Sequence, residues 1–452
     1  MSALLSLLQS WLVTCAKRTL ERERPFIITV SGTVGKSSTK QAIAAVLRAD
    51  QLPTQIRVSA KNYNNELGVP LTVFGLLAPG RSVFAWVRLL TRATLGYLGI
   101  MRTKIQTFVL ELGVDRPHDM ELLAACVTPD LVVISALTPD DPRLAPSHTS
   151  NFPSIEALVD EESKIVSALR PHGTLVVNAD DPRAFALRHA TQAHTLSFGE
   201  MEAADVHLVR THVRCEEGKY GKMPVGLEVT LQVFQQPRTI FLPGVFGRSI
   251  AYAVCAGVAV ATALDISLDE VCESFAEHFR PLPGRTRIIP GIKYTTLFDD
   301  TYNASPVAMI SAIRDLANLT LNPGQRRMAC VGEMRELGHD SELLHREVGA
   351  EAARRGIDLL VACGTLSHAI KEGALANGMP AERIHTFDDA PEAGRFLQKT
   401  IQPGDVVLAK ASEGRSNPRG ARMERVIKEL MAEPQRAGEL LARQDPSWSR
   451  YS

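Results

Sequence analysis

Phe26–Lys40 reads FIITVSGTVGKSSTK. A β-branched run, Ile27-Ile28-Thr29-Val30, breaks at Ser31-Gly32, passes through Val34-Gly35-Lys36-Ser37-Ser38 and continues as the helix-compatible TKQAIAAVLRA. The stretch therefore predicts strand, tight turn and helix. That order builds a phosphate cradle. Gly32 and Gly35 let the backbone approach an anion with no Cβ in the way, and the helix start offers unpaired N–H groups. Lys36 supplies a point charge, and the Ser37 hydroxyl is of the kind that ligates Mg²⁺. The implied ligand is a nucleoside triphosphate held by Gly32, Thr33, Val34, Gly35, Lys36, Ser37 and Ser38. The common P-loop pattern has a glycine five residues before Gly35, where this chain has Val30. The bland alternative is a Gly-rich βα turn with an incidental lysine.

Around this stretch, 452 residues leave room for two or three domains with their own cores. Fifty Lys and Arg against fifty Asp and Glu give zero formal charge, which argues against a general nucleic-acid or membrane-surface binder while allowing local basic patches. The seven cysteines (15, 126, 215, 255, 272, 330, 363) form no C-x-x-C pair and fit reduced thiols of a cytoplasmic protein. Residues 1–24 are apolar at helical spacing from Leu4 to Val13 and then basic. This is shorter than the ~20 apolar residues that span a bilayer, so an amphipathic helix packed on the first domain is expected, with an interfacial membrane helix as the alternative.

After the cradle helix come a short strand (54–58) and KNYNNELGVPLT, whose Asn62, Asn64 and Asn65 read either as turn chemistry or as amides converging on a site. Residues 84–100 read as helix and Thr107–Gly113 as a buried strand ending on a carboxylate, Glu111. A charge at the C-terminal end of a parallel strand faces the ligand crevice of an open α/β sheet, so Glu111 is a candidate Mg²⁺ ligand. The strand 130–135 leads to a loop carrying His148, a possible companion in that metal shell, and then to a helix from Ile155. Strand 174–178, β alternation over Val206–Phe241 around the polar turn 216–222, and helices 242–264 and 266–279 follow. Pro281-Leu282-Pro283-Gly284-Arg285 is the strongest boundary, beyond which strands and helices alternate again. The fold class is thus α/β: a P-loop-type central domain (25–284) with a mostly parallel sheet, then a second, Rossmann-like doubly wound domain (285–432), and a partly docked tail (433–452).

GTVGKSSTK, NYNNELGVPLT, VLELGVDRPHDME, VVNADDP, PLPGRTRI, FDDTYNASPVAM, CVGEMRELGHDSELLHREVG and LAKAS, in that order from about residue 26 to 430, make the chain resemble the ATP-dependent Mur ligases. The resemblance is strongest to the activity that adds D-alanyl-D-alanine to a nucleotide-linked muramoyl tripeptide. It implies ATP and Mg²⁺, an acyl-phosphate intermediate, and a cytoplasmic, monomeric enzyme of cell-wall synthesis with no nucleic-acid partner. It implies that Lys36 and the cradle amides hold the β- and γ-phosphates, with Ser37, Glu111 and His148 around the metal. In the second domain, Asp300, Tyr302 and Asn303 would contact nucleotide, Arg285 would reach the phosphates, and Lys410 with Ser412, like Asn64 and Asn65, would face substrate. Capped βα turns are the bland reading of those second-domain residues.

Three departures bear on this. The family usually begins with a uridine-binding domain of roughly 80 to 100 residues, whereas about 25 residues precede the cradle strand here. Uridine recognition is expected to be absent, rebuilt by a segment such as 84–104, or supplied by another protein. The position of the family's carbamylated, metal-binding lysine falls on Glu162, with Lys164 two residues on, so Glu162 is expected to provide the negative oxygens. On the helix after LPG, Arg248 and Tyr252 stand near where the family has a His and an Asn, and they are candidates to face phosphate and adenine. Alternatives are a superfamily ligase for another acceptor, of the folate-polyglutamylating or archaeal cell-wall kind, or a non-catalytic nucleotide-binding homologue.

Overall fold

The structure is a computed structural model that describes residues 3–60, 63–80, 82–138, 151–413, 422–444 and 448. Two sheets organise it. The first has nine strands: β1 (Phe26–Ser31), β2 (Ile56–Val58), β3 (Thr107–Glu111), β4 (Leu131–Ile134), β5 (Thr174–Asn178), β6 (His194–Gly199), β7 (Val206–Gly218), β8 (Gly221–Val233) and β9 (Gln236–Pro243). Their order is β2-β3-β1-β4-β5-β6-β7-β8-β9, parallel up to β7 and antiparallel from β7 to β9. The second has six: β10 (Arg287–Pro290), β11 (Thr296–Asp300), β12 (Arg327–Val331), β13 (Leu359–Cys363), β14 (Ile384–Phe387) and β15 (Val406–Lys410). Its order is β10-β11-β15-β12-β13-β14, parallel except for the β10 edge.

Side-chain alternation in β1 shows why both faces of the first sheet must be covered. Ile28 and Val30 pack under the helices Lys36–Val46, Arg248–Ala263 and Leu268–His278. Ile27 points the other way, into a core shared with Leu12, Cys15, Ala16 and Leu20 of the helix Ala3–Glu23. A strand buried on both faces reads as a near-continuous apolar run, here Phe26–Val30 broken only by Thr29. The helical spacing of the N-terminal segment is thus a packing stripe, continuing past Val13 to Leu20.

Some elements run differently from the sequence-based expectations. The single turn expected within Val206–Phe241 is two, because a second reversal occurs at Phe234–Gln235, both residues at positive φ (43° and 70°). Neither residue type announces a turn that normally recruits Gly or Asn. The helix expected from Leu242 starts at Arg248, since Leu242 still belongs to β9. β14 and the helix Ala390–Thr400 that follows it extend the second sheet beyond the elements anticipated. The tail docks: buried Arg443 donates to the carbonyl of Thr301 (3.0 Å) and to that of Tyr302, and pairs with Glu424 at 3.1 Å. All seven cysteines are free thiols.

Candidate active site

β1 lies between β3 and β4, so the strand order reverses at its C-terminal end and opens a crevice there. The cradle occupies that point. Gly32 has φ 134°, and a Cβ on it would lie 2.5 Å from Ser135 Oγ and 2.6 Å from the Ala136 carbonyl. Gly35, at φ 88°, is the N-cap of Lys36–Val46 and leaves that helix start with no side-chain cap. The amides of the first turn are therefore presented to an anion.

Lys36 Nζ donates to the Gly32 carbonyl and lies 3.1 Å from Glu162 Oε1. Glu162 is itself buried; its Oε2 accepts from Ser31 Oγ at 2.5 Å and from the Gly32 N–H at 3.2 Å. Glu111 ends β3 beside Val30 of β1. One of its oxygens accepts from Ser37 Oγ at 2.9 Å, and the other pairs with Lys40 Nζ at 2.8 Å. Burial opposes its charge, but Lys40, with Arg285 and Lys36 further off, holds the carboxyl below its ordinary range. Lys40, quoted with the cradle yet given no role from sequence, is thus the counter-charge of Glu111. Lys164 points elsewhere, pairing with Glu121 at 2.5 Å and Glu161 at 2.8 Å. His148 and Asn62 lie outside the described residues.

A cleft of about 820 Å³ joins the cradle to the second sheet. Thr33, Gly35, Lys36, Ser37 and Glu111 line one wall, with Asn64 and Asn65 beside them. Arg285, Tyr302, Asn303, Arg335 and Ser412 line the other. Arg285 stacks its guanidinium on the Tyr302 ring, 4.3 Å from the centroid. Asn65 Oδ1 accepts from the Gly68 N–H at 2.9 Å, so its amide also serves the turn chemistry that was its bland reading. Ser412 Oγ donates to the Ala304 carbonyl (2.8 Å) and accepts from the Arg335 N–H (3.2 Å), tying three loops together at the cleft.

Four expected residues and one segment fall differently. Asp300 and Lys410 are cross-strand neighbours in β11 and β15, and the register pairs them with each other, Nζ to Oδ2 at 2.5 Å. Lys410 also donates to the Asn303 carbonyl at 3.0 Å, so the pair shapes the loop that enters the cleft. Arg248 stands outside this lining: its guanidinium grips Glu200 at 2.8 and 2.9 Å and the Tyr252 hydroxyl at 2.8 Å, and that hydroxyl donates to Asp180 at 2.7 Å. Tyr252 is thereby held in a side-chain network and does not line the cleft. Residues 84–104 contribute nothing to the lining either.

Sequence reasoning passed over Gly113. A Cβ there would stand 2.7 Å from Asn64 Nδ2 and 3.5 Å from Lys36 Cε, so glycine lets the Asn64 side chain close over the β3 end. Its place two residues after a strand-terminal carboxylate was the available signal.

Comparison with known proteins fits this geometry. Residues 93–261 match the family described as Mur ligase middle domain, and residues 284–413 match Mur ligase, glutamate ligase domain. The chain belongs to the Mur ligases. This Mur ligase is 26% identical over 421 residues to the UDP-N-acetylmuramoyl-tripeptide–D-alanyl-D-alanine ligase of Bacillus subtilis, covering 93% of this chain and 79% of that one. It is 29% identical over 419 residues to the enzyme of the same name from Mycobacterium leprae, with 85% and 71% covered. Among solved structures, MurF from Acinetobacter baumannii superposes with a TM-score of 0.69 at 24% identity, covering 89% and 77%. MurF from Thermotoga maritima, in complex with ADP, gives 0.69 at 23%, covering 93% and 83%. At those identities the structural likeness speaks for the fold.

Proposed function

We propose that this Mur ligase is an ATP-dependent amide ligase of peptidoglycan precursor synthesis that joins D-alanyl-D-alanine to a nucleotide-linked muramoyl tripeptide. The observation that carries the reading is the cleft itself, with a phosphate cradle and Glu111 on one wall and Asn303, Arg335 and Ser412 on the other. The names of relatives that align over most of the chain supply the substrate class.

A carboxylate is a poor electrophile until ATP phosphorylates it. An amine then displaces phosphate from the acyl phosphate through a tetrahedral intermediate. The protein's share is to hold anions in line, neutralise developing charge and exclude water. The cradle amides and Lys36 take the β- and γ-phosphates, Arg285 approaches them from the second domain, and Tyr302 and Asn303 face the nucleotide. Asn64 and Asn65 flank the acceptor, with Ser412 on the amine side. Asp300 and Lys410 hold the Tyr302–Ala304 loop in place.

The donors fit Mg²⁺. Among the described residues no three His, Cys, Asp or Glu side chains form a ready metal cluster. Ser37 and Glu111 nevertheless offer hard oxygens beside a phosphate site, with Glu162 on the far side of Lys36, and Mg²⁺ typically needs only one or two carboxylates there, the rest of its shell being phosphate and water. When bound, the ion draws charge from the phosphate oxygens. The reading carries a cytoplasmic location with it, and no helix among the described residues is long and apolar enough to cross a membrane.

Incubating the protein with ATP, Mg²⁺, nucleotide-linked muramoyl tripeptides and a pool of dipeptides, then weighing the products by mass spectrometry, tests this. The expected product gains one D-alanyl-D-alanine with stoichiometric ADP and phosphate. Stimulation by a different amine, or ATP binding with no product from any peptide, would overturn the assignment.

A further inference from the structure

Among the described residues seventeen large apolar side chains are exposed, and eight of them fall within residues 7–11 and 77–100. Six of the eight belong to two packed helices, with Leu77 and Ile100 on either side of the second. Trp11 of Ala3–Glu23 stacks near Tyr97 of Val83–Leu98 (centroids 5.3 Å apart), and Arg22 donates to the Tyr97 carbonyl at 3.0 Å. On Val83–Leu98 the inner stripe is Leu89, Ala93 and Gly96. The opposite stripe, Phe84, Val87, Arg88, Thr91 and Leu98, is open to solvent, Phe84 by 78% and Val87 by 55%. The helix is apolar on both faces while only one is covered.

Charge singles out the same surface. Between Glu66 and Glu111 the chain has no acidic residue, and the described basic ones there are Arg88, Arg92, Arg102 and Lys104, in a protein whose formal charge is zero. Lys17 and Arg18 of the adjoining helix are exposed as well. Glu21 and Glu23 of that helix offset part of this charge, Glu23 accepting from Thr103, and the surface stays net basic, a field that a protein partner of ordinary composition would have to match. A sheet of anionic headgroups over an apolar layer matches both the cations and the side chains between them. Long basic side chains reach headgroups while their stems, and rings such as Phe84, enter the acyl boundary.

We propose that this face docks the protein peripherally on an anionic lipid bilayer, with Val83–Leu98 lying in the interface. The face runs directly to the cleft. Ala78, next to exposed Leu77, lines the cleft, and its N–H donates to the Tyr63 hydroxyl, also in the lining, at 2.8 Å. Docking therefore brings the cleft mouth beside the membrane surface.

Flotation of the full chain with vesicles of phosphatidylcholine alone, or mixed with phosphatidylglycerol, tests the proposal. The protein is expected to float with the anionic vesicles only, and to be released when salt rises from about 0.1 M to about 1 M, which shortens the screening length from ~10 Å to ~3 Å. Phe84→Glu with Val87→Glu is expected to weaken binding by tenfold or more, on the order of what losing two apolar anchors and adding two repelled charges implies. Arg88→Glu alone should weaken it several-fold. Both variants replace solvent-exposed side chains and should keep the wild-type melting temperature and ATP binding. Equal flotation with neutral vesicles, no flotation, or full binding by the double variant would overturn the proposal. So would a dimer, seen by sedimentation, that the double variant dissociates while vesicles are ignored.

Discussion

Glu162 Oε1 stands 3.1 Å from Lys36 Nζ, and the other oxygen of the same carboxylate is bonded to Ser31 and Gly32 of the cradle. A buried acid thus contacts the lysine that is expected to meet the γ-phosphate. This is the position at which the family resemblance implies a carbamylated lysine. The shorter glutamate puts its oxygens on the cradle directly, where they bond Ser31 and the Gly32 N–H and fix the Lys36 side chain.

Glu162→Gln keeps the shape and removes the charge. Turnover is expected to fall roughly ten- to a hundredfold, the usual cost of losing a group that orients a ligand, and the Mg²⁺ concentration for half-maximal rate to rise. Initial rates across a Mg²⁺ titration check this. Unchanged turnover with an unchanged Mg²⁺ dependence would remove Glu162 from the mechanism.

Gly113→Ala introduces a methyl that would sit 2.7 Å from Asn64 Nδ2 and 3.5 Å from Lys36 Cε. Asn64 must move, while Lys36 is met only at van der Waals distance. A displacement of ~1 Å at such a site costs on the order of a hundredfold in rate, so kcat/KM is expected to drop by about that factor. The melting temperature should change little, because the strain is taken by cleft side chains. Steady-state kinetics with a thermal melt separates the two effects.

Asp299 and Asp315 give the fold a pH dependence. Both are fully buried, and burial pushes their carboxyls up to about 6 and about 7. Asp315, from the helix Pro306–Ala317, accepts the Arg248 N–H at 3.3 Å and so bridges the second-sheet lobe to a helix of the first. In the unfolded chain both titrate near the ordinary ~3.9. Between that value and pH 7 the native state retains protons that the unfolded state has released, so stability falls as pH rises through 6 and 7. Asp315→Asn, which keeps an acceptor without the charge, is expected to flatten the decline and to stabilise the protein at pH 8 by roughly 1 to 3 kcal/mol. Urea unfolding at pH 5.5 and pH 8 measures it; an identical slope in the variant would show that Asp315 does not titrate in this range.

Much of this was legible because the information is local. The strand-turn-helix of Phe26–Lys40 and the terminal carboxylate of β3 each depend on neighbours in sequence, and each stands where expected, while the glycine- and proline-rich stretch 281–285 falls between the helix Leu268–His278 and β10. What escaped depends on distant contacts. That Arg443 holds the Tyr302 loop across 141 residues, and that Asp300 spends its charge on Lys410 through strand register, follows only from the assembled sheet. Arg248 had a plausible anion-facing position at a helix start, but Glu200 from another loop claims it. The β-turn at Phe234–Gln235 carries none of the residues that mark such a reversal.

The central claim is that ATP activates the tripeptide carboxylate before the amine arrives. It is tested most directly by labelling that carboxylate with ¹⁸O and following the isotope. Transfer of one ¹⁸O atom into inorganic phosphate on each turnover is the predicted result. Phosphate released without label while product forms, or label recovered in AMP, would contradict the account.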